Sequence, residues 1–470
     1  MDPFKKKIII LGGVLVIAVG GIIGYSIISG RSTPQGQCNI TSGPKRVALT
    51  WWGDLPASAV QGVIDAYVAA RPYVSIAYTQ LDPKQTEQQL INAWARNTGP
   101  DIYSVKNEQL KHFVATGLVT PMPASTTSYT YTHTKVLGIK DQLQICKVDR
   151  AVPSAQLLQN TFVSGAVSDI YQNGKIVGFP LQFDSLAMLY NQQLLDEAGV
   201  LTPPETWTDM VKTVPKLTLL DDKGEIVRAG AALGRSANVP SMPEILTTIL
   251  RQYGIAVTDP TGTTATFQSG KGVQDVLGLA ASFGNPTKQT YTWNDTFPSA
   301  LDALAQGKVA IAFGTQADLA QVQNQTTGAD IRVALFPQAA SGGTTYAADY
   351  YVQTVATRVS NANVAWDFLR FAADASQVKL VTKVTGGVPA VRNLVQALSA
   401  SDQSGTLIPA QVFATQAATA TGWFPGIDPT NGRKALGTLV DDVATQQGSV
   451  GDAIDRAIRL YNVALTSVAQ

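Results

Sequence analysis

The stretch from Gly174 to Gly199, GKIVGFPLQFDSLAMLYNQQLLDEAG, constrains the fold more than any other part of the chain. Its front, Lys175 to Leu181, alternates and carries β-branched residues, which predicts a strand. A second apolar run comes next, and a helical pattern then stops at Gly199, the usual position just past a helix C-terminus. Polar Gln182 and Asp184 separate the strand from the second apolar run. We therefore interpret the stretch as a crossover between two lobes, with a hinge and a ligand cleft at this seam.

Length and charge narrow the class of protein. The chain has 470 residues, too many for a single hydrophobic core. Its 35 basic and 34 acidic residues leave a formal net charge of +1, and neither sign is concentrated in runs. A nucleic-acid surface needs a concentrated basic face, so the composition argues against nucleic-acid partners. Charged residues are only 15 % of the chain, which suits a secreted protein.

The N-terminus contains an apolar run without charges, Ile8 to Ile28, directly after three lysines. At about 1.5 Å per residue the run is just long enough to cross a bilayer. Lysines stay in the cytoplasm, which places everything after Arg31 outside. A cleaved signal peptide is the alternative, although no A-x-A-like cleavage site comes after the run. We predict an uncleaved anchor over 1–30 and a flexible tether over 31–44, with an extracytoplasmic location.

Cys38 and Cys146 are the only cysteines of the sequence. Outside the membrane such a pair can persist as a disulfide, which we predict here, with two free buried thiols as the alternative. Two cysteines and two distant histidines, His112 and His133, do not resemble a metal site. We expect neither a metal nor a cofactor.

Strands and helices alternate after the tether. The pattern predicts strands over Val47–Trp52, Val74–Tyr78 and Asp101–Val105, with helices over Ala57–Ala70 and Pro83–Asn97 between them. This order favours a parallel or mixed sheet with helices on both faces, and ligands bind such sheets beyond the carboxyl ends of the strands. The next stretch, Thr120 to Asp149, is interpreted as loop-rich.

Several motifs occur one after another along the chain. They are VALTWWG, NTGPDIYSVKNEQL followed by ATGLVTPM, NGKIVGFPLQFDSLAMLYNQQLLDEAGVLTPPETW, ALAQGKVAIAFG and GGVPAV. In this order and spacing the chain resembles the extracellular solute-binding proteins of ABC importers, particularly the sugar-binding branch that includes maltose-binding protein. The resemblance covers roughly residue 45 to the C-terminus.

The resemblance implies an α/β fold of the periplasmic-binding-protein type II, with two lobes that are each a mixed sheet flanked by helices and discontinuous in sequence. We expect 45–180 and 307–345 in the first lobe, and 181–306 and 346–470 in the second. The resemblance also implies a monomer whose lobes close over a small ligand by a hinge motion, after which a membrane permease receives the ligand.

A sugar site needs flat aromatic rings for the C–H faces and polar groups for the hydroxyls. Trp94 and Trp366 are predicted core residues, and the resemblance implies that Trp207 is a packing residue at a helix start. Neighbouring strand residues point to opposite faces, so at most one of the pair Trp51 and Trp52 is buried under a helix. The predicted cleft-lining rings are Trp51, Trp52, Trp293 and Trp423.

The resemblance implies polar ligand contacts at residues that come after strands or lie near crossovers. They are Asp54, Asn107, Glu108, Gln182, Asp184, Asn294, Gln316, Asp349 and Tyr350, with Gly387 as a point of backbone approach. For Asp54, Asn107 and Glu108 the alternative is helix capping. For Gly387 an ordinary turn is the alternative.

The alternative from another class is a secreted glycoside hydrolase, which needs two carboxylates at a set separation. No spacing in the sequence singles out such a pair, and G-x-S-x-G, H-E-x-x-H and phosphate-loop motifs do not occur. We therefore expect a binding protein and not an enzyme. Within that class, the alternative ligand is a polyamine or another small organic cation, bound by the same aromatics and carboxylates.

Overall fold

The computed structural model describes residues 35–38, 40, 43–83, 85–136, 140–326, 328–400 and 407–467. The predicted anchor, Ile8 to Ile28, lies outside these ranges. Within them, no helix has both the length and the apolar character that a membrane span requires.

The described strands are numbered in chain order. They are β1 (Gln35–Cys38), β2 (Val47–Gly53), β3 (Val74–Gln80), β4 (Ile102–Lys106), β5 (Ser125–Val136), β6 (Lys140–Ala151), β7 (Tyr171–Gln172), β8 (Lys175–Ile176), β9 (Phe179–Pro180), β10 (Gln182–Phe183), β11 (Ala187–Asn191), β12 (Leu219–Leu220), β13 (Ile226–Ala231), β14 (Val309–Gly314), β15 (Ile331–Ala334), β16 (Tyr346–Ala348), β17 (Tyr351–Val355), β18 (Val388–Pro389) and β19 (Ala420–Gly422).

The described α-helices are numbered in the same way. They are α1 (Ala57–Ala70), α2 (Thr86–Ala95), α3 (Asn107–Ala115), α4 (Ala155–Thr161), α5 (Ser164–Ile170), α6 (Gln192–Glu197), α7 (Trp207–Leu217), α8 (Met242–Gln252), α9 (Val273–Ser282), α10 (Ala300–Ala305), α11 (Gln316–Gln325), α12 (Ala362–Ala372), α13 (Ala375–Thr385), α14 (Arg392–Ser399), α15 (Pro409–Ala417), α16 (Pro429–Ala444) and α17 (Val450–Thr466).

The chain divides into two compact units, each built from separate stretches of sequence. The first unit contains the described residues up to Val105 together with 117–182 and 351–394, and the second contains 106–116, 183–350 and the described residues from 395 onward. This division differs from the predicted lobe boundaries. Residues 307–345 lie in the second unit, because β14 pairs with β11 and β13. Residues 351–394 lie in the first, because β17 joins the sheet of β2 and β4.

The first unit contains a mixed five-stranded sheet in the order β3-β2-β4-β17-β9. Strand β2 runs parallel to β3 and β4, whereas β17 and β9 are antiparallel. Helix α1 buries Val60, Val63, Ile64 and Tyr67, the spacing of one helix face. Tyr67 meets Phe368 of α12 with ring centroids 5.1 Å apart. The βαβαβ order predicted for this part of the chain is confirmed.

The stretch predicted to be loop-rich is mostly a β-hairpin, so that prediction was wrong. Strands β5 and β6 are 12 residues each and pair in antiparallel register along their whole length. The threonines and tyrosines of β5 favour extended backbone, although few of its residues are aliphatic. Strand β1 pairs with the outer side of β6, where Cys38 lies opposite Cys146. The two form a disulfide, as predicted.

A buried ionic triad ties this hairpin to the rest of the first unit. Asp367 of α12 accepts from Nη1 of Arg150 on β6 at 2.8 Å and is ion-paired with Nε of Arg71 at 2.9 Å. The Tyr67 hydroxyl donates to the same carboxylate at 3.0 Å. Two cations therefore offset one buried anion, whose removal would break both ion pairs.

The second unit contains a mixed five-stranded sheet in the order β12-β13-β14-β11-β15. Strand β11 is antiparallel to β14 and β15, whereas β13 is parallel to β14. Trp207, at the first position of α7, packs on Phe313 and Phe336, and its Nε1 donates to the buried Gln252 side chain at 2.8 Å. The predicted role of Trp207 in packing is confirmed. The predicted helix stop is also present, with Gly199 at φ 68° just beyond α6.

Candidate functional site

The carboxyl end of β4 leads directly into α3, and this junction carries three consecutive polar residues, Lys106, Asn107 and Glu108. Lys106 Nζ donates to both carboxylate oxygens of Asp349, at 2.7 and 2.8 Å. Asn107 and Tyr350 form a reciprocal pair, because Asn107 N donates to the Tyr350 carbonyl at 2.9 Å and Tyr350 N donates to Asn107 Oδ1 at 3.3 Å. These bonds hold the start of α3 against the segment that enters β17.

Asp184 lies next to this segment. Its two carboxylate oxygens accept from the backbone nitrogen of Gln316, at 3.1 and 3.0 Å, and Oδ1 also accepts from Ser185 N at 2.8 Å. Gln316 begins α11, and helix N-termini favour negative charge. The backbone N–H of Asp349 donates to the Asp184 carbonyl at 3.0 Å, which brings the two acidic residues side by side.

Burial raises the pKa of Asp184 to about 8, against the backbone donors of Gln316 and Ser185, which favour the ionised form. The neighbouring Asp349 and Asp318 carboxylates raise this pKa further. Burial likewise raises the pKa of Asp318, which caps α11 by accepting from Thr315 N at 2.9 Å. Protonation is therefore easier here than at an ordinary aspartate.

Glu108 is the second anchoring point of the site. Its Oε2 accepts from Nη2 of Arg433 at 2.7 Å and from Nε1 of Trp423. Arg433 also binds Glu244 through two nitrogens, at 2.6 and 2.8 Å, and its guanidinium carbon lies 4.8 Å from the centre of the Trp423 ring. Helix α16 supplies the arginine, and α8 supplies Glu244.

The charges of this group interact. Burial lowers the pKa of Arg433, but Glu244 and Glu108 outweigh it and the net shift is upward. Burial raises the pKa of Glu244, Arg433 opposes that rise, and Glu108 adds to it. We name the set the charged cluster; it lies within the second unit and consists of Lys106, Glu108, Asp184, Glu244, Asp318, Asp349 and Arg433.

The structure brings many of the predicted site residues together. Those that belong to the charged cluster, form a hydrogen bond with it or are the chain neighbours of its members are Asn107, Glu108, Asp184, Gln316, Asp349, Tyr350 and Trp423. Tyr350 is buried and its ring packs on Phe183, 4.6 Å between centroids. Trp423 is also buried, under Arg433 and beside Phe424, rather than presenting an open face.

A second group of predicted residues lies in the first unit, at the end of β2. Trp51 is buried, and its Nε1 donates to Gln353 Oε1 at 2.9 Å, while Trp52 is half-buried. Of this pair Trp51 is therefore a core residue, which agrees with the prediction that at most one of the two is buried. Gln353 Nε2 donates to Asp54 Oδ1 at 3.3 Å, so the buried amide also orients the half-buried Asp54 carboxylate.

Gln182 and Gly387 also meet in the first unit. Gln182 Nε2 donates to Thr385 Oγ1, which accepts from Gly387 N at 3.1 Å. A side chain at position 387 would require the end of the flexible Gln182 side chain to move. The structure thus gives Gly387 a packing reason of its own, and its predicted approach to ligand stays a prediction.

Trp293 differs from its predicted placement, whereas the ligand contact predicted for Asn294 stays a prediction. Trp293 is fully buried, stacks on Phe297 with centroids 4.6 Å apart, and donates from Nε1 to Asn238 Oδ1 at 2.7 Å. Asn294 donates to the Tyr291 hydroxyl at 3.1 Å. The polar, turn-rich sequence around Trp293 indicated an exposed loop, but the loop folds back so that the indole becomes core.

The sequence interpretation missed Lys106, Arg433, Glu244 and Gln353. Lys106 directly precedes Asn107 at a strand end, so its position was a usable signal. Arg433 and Glu244 sit on helices whose sequences resemble ordinary surface helices, and only the fold brings them to Glu108. In the described part of the chain, no group of three or more His, Cys, Asp or Glu side chains is arranged to hold a metal ion.

Comparison with known proteins identifies the family. Residues 62–410 match the family described as bacterial extracellular solute-binding protein. Among solved structures, the cyclic α-maltosyl-1,6-maltose binding protein of Arthrobacter globiformis matches with a TM-score of 0.67 at 18 % identity, covering 89 % of this chain and 99 % of that one. The maltose-binding periplasmic protein MalE of Listeria monocytogenes, in complex with maltose, matches at 0.66 and 17 %, covering 89 % and 97 %.

The GacH receptor of Streptomyces glaucescens, solved unliganded and with acarbose, matches with a TM-score of 0.63 at 15 % identity, covering 90 % of this chain and 99 % of that one. These likenesses confirm the predicted two-lobed α/β fold. The match over most of the chain shows that it belongs to the bacterial extracellular solute-binding proteins, a family of binding proteins and not of enzymes.

Proposed function

We propose that this protein is the substrate-binding component of an ABC transporter, which captures a sugar or oligosaccharide outside the cell and delivers it to a membrane permease. The charged cluster carries the proposal. Its two half-exposed ion pairs, Lys106–Asp349 and Arg433–Glu108, place donors and acceptors close together on one unit. A sugar hydroxyl both donates and accepts, so it can bind to either member of such a pair.

The solved neighbours favour the same ligand class. They include proteins whose reported complexes contain maltose, maltotetraose or mannobiose. Their sequence identity to this chain is low. The ligand contacts are therefore argued from the residues of the charged cluster and not from the neighbours. We propose Lys106, Glu108, Asp184, Asp349 and Arg433, all of the second unit, as polar ligand contacts. The ligand contacts predicted for Asp54 and Gln182 stay predictions. Closure of two lobes over the ligand, implied by the family resemblance, stays a prediction.

The second candidate ligand is a polyamine or another small organic cation. One observation favours it: the charged cluster contains five carboxyl groups and two cations, Lys106 and Arg433. The raised pKa values of Asp184, Asp318 and Glu244 reduce that excess of negative charge. We therefore rank the neutral sugar first.

A thermal-shift panel separates the two candidates. The panel contains maltose, maltotetraose and mannobiose on one side, and putrescine and spermidine on the other, followed by calorimetric titration of each hit. We expect a sugar to raise the melting temperature of the wild type. Asp349→Asn, which breaks the pair with Lys106, should weaken sugar binding by roughly tenfold.

Asp330→Asn is the matched control. Asp330 is also ion-paired in the second unit, with Arg332 at 2.6 Å, but outside the charged cluster. This variant should bind sugar like the wild type. If only the polyamines raise the melting temperature, the proposed ligand is an organic cation and not a sugar. Equal losses in the two variants would remove the cluster from the binding site.

Membrane attachment and delivery complete the proposal. The apolar run over Ile8 to Ile28, preceded by lysines, supports an anchor that holds the body on the outer side of the membrane. Sedimentation of the full-length chain with membranes, resistant to carbonate washing, is the expected result. Release of a soluble form that starts beyond residue 28 would show cleavage instead. Uptake of the identified sugar by intact cells, lost in Asp349→Asn, tests delivery.

A further inference from the structure

Arg433 occupies a special position in the charged cluster, because it bridges two carboxylates that belong to different helices. Its Nη2 donates to Glu108 at 2.7 Å and to Glu244 at 2.6 Å, and its Nη1 reaches the other oxygen of Glu244 at 2.8 Å. Nη1 also donates to the Pro240 carbonyl at 2.7 Å. The guanidinium is therefore fixed by four hydrogen bonds and by contact with the Trp423 ring.

Glu244 explains why a cation must stay there. Its side chain is only 6 % exposed, and in the described part of the chain Arg433 is the cation that pairs with it. A buried carboxylate without a counter-charge is strongly unfavourable. The bidentate Arg433–Glu244 pair thus fixes the position of the guanidinium. That position determines where Nη2 donates its other hydrogen bond, to Glu108.

Glu108 is the adjustable part. Both of its hydrogen bonds to the described residues, from Arg433 and from Trp423, go to the same oxygen, Oε2. Its other oxygen, Oε1, makes no hydrogen bond within the described part of the chain, and the side chain is 16 % exposed. One oxygen is therefore held in place, and the second is an acceptor available to a ligand.

We propose that Arg433 is the specificity-determining residue of this site: by holding Glu108 through one oxygen and offsetting its charge, it makes the other oxygen an acceptor for a hydroxyl of an uncharged sugar rather than for an ammonium group. The inference rests on the proposed function. Arg433, which donates directly to Glu108, is thereby identified as the residue that selects against cationic ligands.

The electrostatics give the reason. A hydroxyl donor carries no net charge, so the nearby guanidinium does not repel it. An ammonium group at the same oxygen lies close to the guanidinium, and like charges that approach in a half-buried site are unfavourable. Without Arg433, the Glu108 carboxylate loses the cation beside it, which makes it an attractive site for a polyamine or an amino sugar.

The test is the ratio of affinities for two probes, maltotetraose and spermidine, measured by calorimetry on the full chain. Arg433→Met keeps an unbranched stem but removes the charge. We expect it to bind maltotetraose roughly tenfold more weakly and spermidine roughly tenfold more tightly than the wild type. Arg433→Lys keeps the charge, and it should preserve the preference for the sugar even if both affinities fall.

Two further variants show whether the change acts through Glu108. Arg433→Met combined with Glu108→Gln should lose the gain for spermidine. Arg332→Met, which removes an exposed arginine of the same unit outside the cluster, should leave both affinities unchanged. If Arg433→Met does not fold, the affinities of Arg433→Lys and Glu108→Gln for maltotetraose and spermidine decide instead. The inference requires that Arg433→Lys keeps the preference for the sugar and that Glu108→Gln loses affinity for the sugar.

An unchanged ratio in Arg433→Met overturns the inference, and so does an equal change in Arg332→Met. A wild type that binds spermidine and no sugar would refute the proposed sugar ligand. In that case the part of the inference that concerns the sugar fails as well, but the repulsion of cations by Arg433 is still measured, since Arg433→Met must then bind spermidine more tightly. The two failures are therefore distinguishable.

Discussion

Nη1 of Arg150 donates to Oδ1 of Asp367 across 2.8 Å, although the two residues are 217 positions apart. The bond fastens the β5–β6 hairpin to α12, and Arg71 binds the other oxygen of the same carboxylate. Asp367 is fully buried. One carboxylate thus holds two elements that the sequence separates widely, and the stability of the first unit depends on its charge.

Replacing Asp367 by Ala should lower the free energy of unfolding by about 3–5 kcal/mol, because two buried arginines lose their counter-charge. Urea unfolding at pH 7 measures this. Asp330→Ala, which removes an exposed ion pair, should change stability by less than about 1 kcal/mol. Similar losses in the two variants would mean that the triad contributes no more than a surface pair.

Burial raises the pKa of Asp367, but Arg71 and Arg150 outweigh it, so the net shift is downward. A carboxyl group whose pKa is lower in the folded state stabilises the fold above its unfolded pKa of about 3.9 and loses that contribution as the pH falls through the folded value. The advantage of the wild type over Asp367→Asn should therefore shrink below about pH 4. An advantage that grows on acidification would contradict the lowered pKa.

Asp184 should show the opposite pH dependence. Its folded pKa is raised to about 8, so between about pH 4 and pH 8 the folded state holds a proton that the unfolded state has lost. Stability from this group is greatest at low pH and is lost as the pH rises through 8. Asp184→Asn keeps an acceptor for the Gln316 N–H but does not titrate. Melting temperatures from pH 5 to 8 should fall more steeply for the wild type, and parallel curves would contradict this.

Trp293→Ala should lower the free energy of unfolding by about 3–5 kcal/mol, because it empties a fully buried position and leaves the Asn238 side chain without its donor. Trp52→Ala, at a half-buried position, is the matched variant and should cost less. Denaturant unfolding followed by circular dichroism compares the two. If Trp293→Ala without ligand is as stable as the wild type, Trp293 is not a core residue and its predicted role as a cleft-lining ring stands.

Because Cys38 and Cys146 form a disulfide, the protein should migrate differently on non-reducing and reducing gels, and thiol titration of the native protein should find no free thiol. Replacing both by Ser should lower stability by about 2–4 kcal/mol, since the bond closes a long loop in the unfolded chain. The four-residue strand β1 should then exchange its amide hydrogens faster than β6 does. Two titratable thiols in the native protein would contradict the bond.

The sequence by itself predicted those features that depend on short stretches. The alternation of strands and helices from Val47 to Val105 and the helix stop at Gly199 arise from local periodicity and turn chemistry. The family resemblance supplied the packing role of Trp207. The order of motifs supplied the family. Asn107, Glu108, Asp184 and Asp349 were predicted because polar residues after strands and near crossovers tend to face the same region.

Tertiary structure alone decided which residues complete the site and which are core. Arg433 lies 325 positions from Glu108, and nothing in its helix distinguishes it from a surface arginine. Trp293 lies in a polar loop, yet the loop folds back and buries the indole. The hairpin of β5 and β6 has a sequence of threonines and tyrosines that becomes regular only through its partner strand. In each case the deciding interaction joins residues distant in sequence, and local patterns do not contain such contacts.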